Sequence, residues 1–323
     1  MTRKYIGCDL GGTNLRAGIV DPESGRVSHP HTTLTLAREG HDAVMARMGV
    51  LIEQTIEASG LTKDEIGGVG IGAPGVLDLE RGLTLMLPNL YGTWPEIPLR
   101  DTISEYTGLP TTLLNDVRSI TFGEWRFGAG QGVDTMACFA VGTGIGGGLV
   151  VNGQLHLGIG GTGGELGHQM IDFNGKPCSC GNRGCLEAYA SGPAIAAMGM
   201  KAVVQGITTD IGELVDFDLN KISPKTIAQA ASRGDEVAQN ILEEVGFYIG
   251  IAAANVCASI GPRIIVIAGG VSKIGEPILA PIRRTIRERV RIMPVEQVKV
   301  IQAQLGDDAG VIGAALWAAN NFN

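Results

Sequence analysis

Residues 9–21 read DLGGTNLRAGIVD, and residues 140–152 read AVGTGIGGGLVVN. Each stretch follows a short apolar run, Tyr5–Cys8 in the first case and Met136–Phe139 in the second. Each turns through glycines around a threonine, Thr13 or Thr143, and re-enters an apolar strand. A strand, glycine turn and strand used twice in one chain predicts two lobes built on similar plans. Glycine turns expose backbone N–H groups that can cradle phosphate oxygens, and the threonine hydroxyl adds a neutral donor. Asp9 could hold a hydrated Mg2+ beside the same phosphates. Taken singly, either loop also reads as a plain hairpin turn. The matching of the pair between two halves favours the phosphate reading.

Two better-known phosphate motifs do not apply. Gly142, Gly144 and Gly147 satisfy G-x-G-x-x-G, but the dinucleotide fingerprint needs a helix to open after the glycines. Residues 149–157, LVVNGQLHL, alternate and are β-branched, so they read as a hairpin. No G-x-x-x-x-G-K-[ST] occurs, which excludes a Walker loop.

The rest of the chain alternates strand and helix patterns. Strands are predicted at Tyr5–Asp9, Leu15–Val20, Gly68–Ile71, Thr111–Leu114, Thr135–Val141, Gly147–Val151, Arg263–Ala268 and Lys299–Gln302. Helices are predicted at His41–Ser59, Arg100–Tyr106, Val117–Phe127, Ala188–Val204, Ser223–Arg233, Asp235–Ser259, Pro277–Arg291 and Ala309–Asn320. Ser223 before Pro224 reads as an N-cap followed by a first-turn proline. The small residues of Ala309–Asn320 suit close packing against another element. Gly128–Gly132 reads as a linker or exposed turn. A two-domain α/β protein with its site in a cleft follows.

With 323 residues, the chain is long enough for two domains. Hydrophobic residues make up 44% and charged residues 18%, which is the composition of a globular protein. A net charge of −8 argues against a nucleic-acid partner. The apolar run Val245–Ile260 is interrupted by Asn255 and Ser259 and stopped by Pro262, so it reads as a buried helix and not a membrane span. The start goes directly into a strand pattern without a targeting segment, and the chain is expected to be cytoplasmic.

A second informative stretch is 165–187, ELGHQMIDFNGKPCSCGNRGCLE. It places His168, Cys178, Cys180 and Cys185 in the spacing H-x9-C-x-C-x4-C. One imidazole and three thiols form a full ligand set for tetrahedral zinc, and such a closed site does not activate water. Ordinary buried thiols are the first alternative, as expected for Cys8, Cys138 and Cys257, which lie singly in apolar runs. A disulfide is the second, but Cys178 and Cys180 are too close in sequence to pair easily, one thiol would be left over, and a reducing compartment is expected. Glu165 and Glu187 bracket the cluster, which suggests a loop held rigid so that these acids can grip something polar. Residues 72–78 (GAPGVLD) and 88–94 (PNLYGTW) read as loops, the second offering Asn89 as both donor and acceptor. Residues 268–272, AGGVS, form another glycine turn after a strand. Asp116, at a strand-to-helix junction, also admits a purely structural role as an N-cap or first-turn acid.

In this order the motifs are familiar. DLGGT (9–13), GAPG (72–75), PNL (88–90), ND (115–116), VGTGIGGG (141–148), GELGH (164–168), CSCGNRGCLE (178–187) and AGG (268–270) resemble those of the ROK family of sugar kinases and repressors, most closely its ATP-dependent glucokinase branch. The resemblance covers essentially the whole chain. It implies an α/β fold of the two-lobed actin/hexokinase-like (ribonuclease H-like) ATPase type with a structural zinc loop, the small-molecule sugar and ATP lying between the lobes. It places 1–117 in a small lobe with 307–323 packing back on it, and 118–306 in a large lobe. It implies that Asp116 is the catalytic base. It also implies that Gly75, Asn89, Asn115, Asp116, Glu165, His168 and Glu187 bind the sugar, with His168 on the zinc as well. Asp9, Gly11, Gly12, Thr13, Asn14, Gly142, Thr143, Gly144, Gly269 and Gly270 would hold the nucleotide and its Mg2+. Family members are often dimers or tetramers, so a homo-oligomer is expected, with no nucleic-acid or membrane partner. ROK repressors add an N-terminal helix-turn-helix, for which a strand beginning at Tyr5 leaves no room. Other hexoses, and polyphosphate as donor, remain alternatives. Family glucokinases commonly read E-N-D-A-N-A-A around the base; residues 114–120 here read LNDVRSI, which puts Arg118 near the site.

Overall fold

The computed structural model describes residues 3–88 and 90–322. In chain order the strands are β1 (Lys4–Leu10), β2 (Asn14–Val20), β3 (Val27–Leu34), β4 (Ile66–Ala73), β5 (Val76–Asp78), β6 (Leu83–Met86), β7 (Thr111–Asn115), β8 (Met136–Val141), β9 (Ile145–Val151), β10 (Gln154–Leu155), β11 (Ile264–Ala268) and β12 (Lys299–Gln302). The helices are α1 (His41–Ser59), α2 (Leu99–Thr107), α3 (Asp116–Phe127), α4 (Glu187–Ala190), α5 (Gly192–Val204), α6 (Asp210–Glu213), α7 (Pro224–Ser232), α8 (Glu236–Ile260), α9 (Glu276–Arg289) and α10 (Ala309–Phe322). The chain divides into two compact units, one formed by the described residues of 1–132, 154–164 and 304–323, the other by 133–153 and 165–303.

The sheet of the first unit has the order β3-β2-β1-β4-β7. β1 and β2 form an antiparallel hairpin, and β4 and β7 continue the sheet in parallel. Every residue of β4 is buried, as a parallel strand covered on both faces requires. Side chains alternate across β1. Ile6, Cys8 and Leu10 face the core that holds Val44, Met48 and Ile52 of α1, while Tyr5 packs with Val311 and Ala315 of α10 on the other face. α10 lies on the sheet backbone to backbone. A side chain at Gly7 would run into the Val311 carbonyl, and one at Gly70 into that of Ala314. The glycine and alanine content of this helix serves that close approach.

The sheet of the second unit repeats the plan. β8 and β9 form the hairpin, and β11 and β12 follow in parallel. Phe139, Ile265 and Ile267 pack into one core with Val245, Ile249 and Ala253 of α8. α8 is long and apolar enough to cross a membrane, but 61% of its most apolar window is buried. Its apolar face is the wall of this core.

Several features differ from the sequence-based expectation, among them β5, β6 and α6, which it did not include. The helix expected over 188–204 is two, because Ser191 leaves helical geometry and its Oγ caps α5 by accepting from the Ala194 N–H (3.4 Å), with Pro193 in the first turn. β3 was not foreseen, since it is largely exposed and carries Pro30; both suit a sheet edge. Of the expected linker or exposed turn at 128–132, Gly128–Gly130 are buried, for the Glu124 carboxylate accepts from the Ala129 N–H (2.8 Å), while Gln131 and Gly132 form an exposed turn at which this segment of the first unit ends. The first unit also continues past 117, since α3 packs along α10 so closely that a side chain at Gly313 would strike the Ser119 carbonyl.

Candidate active site and metal cluster

In the first unit the candidate residues gather where β1, β4 and β7 end. Asn115 closes β7 and caps α3. Its Oδ1 accepts from the N–H groups of Val117 (3.0 Å) and Arg118 (3.2 Å), and its Nδ2 donates to the Gly75 carbonyl (3.1 Å). One amide therefore fixes both the helix start and the GAPG turn. Asp116 Oδ1 also accepts from the Val117 N–H (2.8 Å), so this acid is held in the first turn while Asn115 serves as the cap.

Asp9 shares this neighbourhood. Burial and then the charge of Asp116 push its carboxyl up to about 7, with Arg16 opposing. Its carboxylate lies against the first turn of α10, where a side chain at Gly310 would sit 3.0 Å from the carboxyl carbon. Arg16 itself is held by Asp307, donating to its carbonyl (3.0 Å) and meeting its carboxylate (3.4 Å). The 11–14 loop is a tight turn, with the Gly11 N–H on the Asn14 carbonyl (2.9 Å) and Thr35 Oγ1 on the Gly11 carbonyl (2.6 Å). Gly12 and Thr13 are exposed and border a cavity of about 640 Å³ that Pro88, Leu90 and Tyr91 also line. Asn89 lies outside the described residues.

In the second unit the two glycine turns meet. A side chain at Gly269, whose φ is 82°, would collide with the Val141 carbonyl, so this turn abuts the one at 142–144. Gly142 and Gly270 have open space where a side chain would project. Glu187 begins α4, and its Oε2 accepts from the Ile145 N–H (2.8 Å) while its Oε1 accepts from Ser179 Oγ (3.3 Å). A side chain at Gly144 would approach Glu187 Oε2 to 2.5 Å. Glu187 thus ties the glycine turn to the cysteine loop, and each carboxylate oxygen keeps further acceptor capacity. Glu165 is exposed just before the short turn Leu166–His168.

His168, Cys178, Cys180 and Cys185 present ligand atoms all within 4.8 Å of one another. Cys180 Sγ and Cys185 Sγ are 3.7 Å apart, as are Cys178 Sγ and His168 Nδ1. Tetrahedral coordination with metal–sulfur bonds of about 2.3 Å gives an edge of about 3.8 Å, which these separations match. A disulfide needs about 2.05 Å, so the disulfide alternative falls away. Burial pushes the Cys185 thiol up to about 12, whereas the Asn182 N–H holds Cys180 below its ordinary value. A bound cation is what would make Cys185 a thiolate. The loop closes on itself through the Cys178 N–H to the Asn182 carbonyl (2.8 Å) and the Gly184 N–H to the Lys176 carbonyl (2.7 Å). His168 meets the cluster through Nδ1, which leaves Nε2 for a second partner.

The sequence matches the ROK family profile over residues 5–321. The protein belongs to the ROK family. It is 36% identical over 312 residues to a glucokinase of Thermotoga maritima, covering 97% of this chain and 96% of that one. The crystal structure of a ROK family glucokinase from Streptomyces griseus in complex with glucose and AMPPNP superposes with a TM-score of 0.84 at 34% identity, covering 98% and 99% of the two chains. A repressor is similar too: the xylose repressor of Caldicellulosiruptor bescii is 32% identical over 308 residues, 95% of this chain but 76% of the repressor. The fold is the actin/hexokinase-like α/β fold of these ROK structures.

Several contributors escaped the sequence reading of this ROK chain. Ser179, between two of the clustered cysteines, reaches Glu187. The Tyr189 hydroxyl accepts from the Lys176 N–H (2.9 Å) and donates to Asp172 (3.0 Å), bracing the loop from below. Ser179 could have been found from its place in C-x-C; Tyr189 and Asp172, 17 residues apart, carry no local signal.

Proposed function

We propose that this protein is an ATP-dependent sugar kinase that phosphorylates glucose at its 6-hydroxyl. The observation that carries the reading is the acid pair Asp116 and Asp9, close enough for the charge of one to raise the other, in a chain related to glucokinases along nearly its full length. Asp116 accepts the proton of the 6-hydroxyl as that oxygen attacks the γ-phosphorus of ATP. The new bond is phosphorus to O6, the broken one is phosphorus to the β,γ-bridging oxygen, and ADP leaves with the electron pair. Base assistance of this kind is worth on the order of 10²–10⁴-fold. Mg2+ bound with the nucleotide supplies charge neutralisation, and Asp9 is the residue to hold its hydrated form.

Sugar hydroxyls both donate and accept, so carboxylates and amides grip them in paired hydrogen bonds. Glu165, Glu187, His168 Nε2, Asn115, Asn89 and the Gly75 turn are the groups for this part. The loops at 9–14, 142–144 and 269–270 hold the nucleotide. His168, Cys178, Cys180 and Cys185 would hold a structural Zn2+, which would stiffen the loop between Glu165 and Glu187. Six free cysteines suit the reducing cytoplasm, and we expect a homo-oligomer, dimer or tetramer, measurable by sedimentation.

The test is an ADP-release screen over glucose, fructose, mannose, allose, N-acetylmannosamine and N-acetylglucosamine, with ATP and polyphosphate as donors. Glucose with ATP should be turned over fastest; no turnover of any sugar would refute the reading. Similarity to xylose repressors supports a second reading, a sugar sensor without catalysis. Retention of DNA at low salt with no phosphorylation would favour it.

A further inference from the structure

Arg118 is buried, with 1% of its surface exposed, in the first turn of α3, two residues beyond Asp116. Its Nε donates to the carbonyl of Gly163 (2.8 Å). Gly163 belongs to GIGGTGG, residues 158–164, which has five glycines in seven residues and leads directly into Glu165. Gly158, Gly160, Gly161 and Gly164 have φ values of 65°, 59°, 76° and 87°, backbone that glycine adopts readily. Such a segment loses more conformational freedom on ordering than any other composition, so it stays ordered only where something ties it.

Most of its bonds are local. The Gly163 N–H reaches the Leu157 carbonyl (2.6 Å), and Thr162 Oγ1 reaches the Ile159 carbonyl (2.8 Å). Arg118 is different, because its guanidinium connects the segment to the helix that carries Asp116. Burying a guanidinium is costly unless it is hydrogen-bonded, so this placement demands a compensating role.

We propose that Arg118 is a positioning residue. It fixes the glycine segment to the start of α3 and so sets where Glu165 emerges, which tunes affinity for the sugar. The inference rests on the sugar-kinase reading and deepens it. The test compares wild type, Arg118→Ala and Arg118→Lys by hydrogen exchange over 157–164 and by separate Michaelis constants for glucose and ATP. Arg118→Ala should raise amide exchange in the segment at least tenfold and the glucose KM at least tenfold. The ATP KM should stay within twofold, and added methylguanidine should restore part of the glucose affinity. Arg118→Lys, which keeps one donor, should fall between and remains readable if the alanine variant does not fold. Unchanged exchange over 157–164 in both variants, or equal changes in the two KM values, would overturn the proposal. If wild type phosphorylates no sugar, the sugar-kinase reading fails, and the exchange measurement still decides whether Arg118 holds the segment.

Discussion

Asp116 could have been no more than a capping acid. The cap is instead Asn115, whose amide also holds Gly75, while Asp116 stands in the first turn and accepts from the Val117 N–H. Asp116→Asn should lower phosphorylation by roughly 10²–10⁴-fold while glucose binding, read by calorimetry, changes little. Near-normal turnover would remove the base assignment. Asp9 yields a second expectation, from its sign. Its carboxyl stands at about 7 in the folded protein against 3.8 for the free group, so the folded state holds the proton more tightly than the unfolded one. The nucleotide-free protein should therefore lose stability as pH rises from about 4 through about 7. Asp9→Asn should flatten that fall, raising Tm at pH 8 and not at pH 5 while abolishing ATP-dependent turnover. A melting series that declines equally in wild type and variant would contradict this. The sequence alone puts both residues among the candidates. The charge of one on the other is not legible there, because it depends on the end of β1 lying near the start of α3.

Elements with a clear period were legible nearly to the residue, and α1 and β12 match their expected bounds. Failures came where tertiary context decides. β3 is polar and proline-bearing, so only its pairing with β2 makes it a strand. The clustering of His168, Cys178, Cys180 and Cys185 was legible because it is local, with all four candidate ligands inside 18 residues of chain, 168–185. Cys180→Ser should lose the metal by elemental analysis and weaken glucose binding at least tenfold, with ATP binding little changed. A purified protein without stoichiometric zinc would refute the assignment. α10 offers a packing test. Gly70→Ala puts a methyl into the Ala314 carbonyl and should cost about 1–3 kcal/mol in denaturant unfolding.

At the scale of the whole chain, the repeated strand, glycine turn and strand foretold the repeated sheet plan, since a hairpin followed by parallel strands builds both sheets. The extent of each unit was not foreseeable. Buried Glu124 accepts from the N–H groups of Gln304 (2.9 Å) and Leu305 (2.8 Å), about 180 residues away, and local sequence carries no trace of that bond. Glu124→Ala should leave those donors without acceptors and destabilise the fold by about 2–4 kcal/mol. The central claim concerns where the sugar's terminal hydroxyl goes. A crystal structure with glucose and a non-hydrolysable ATP analogue should place O6 about 2.6–3.2 Å from the Asp116 carboxylate, with Glu165, Glu187 and His168 on the ring's other hydroxyls. A glucose ring seated away from both Asp116 and the cysteine loop would contradict it.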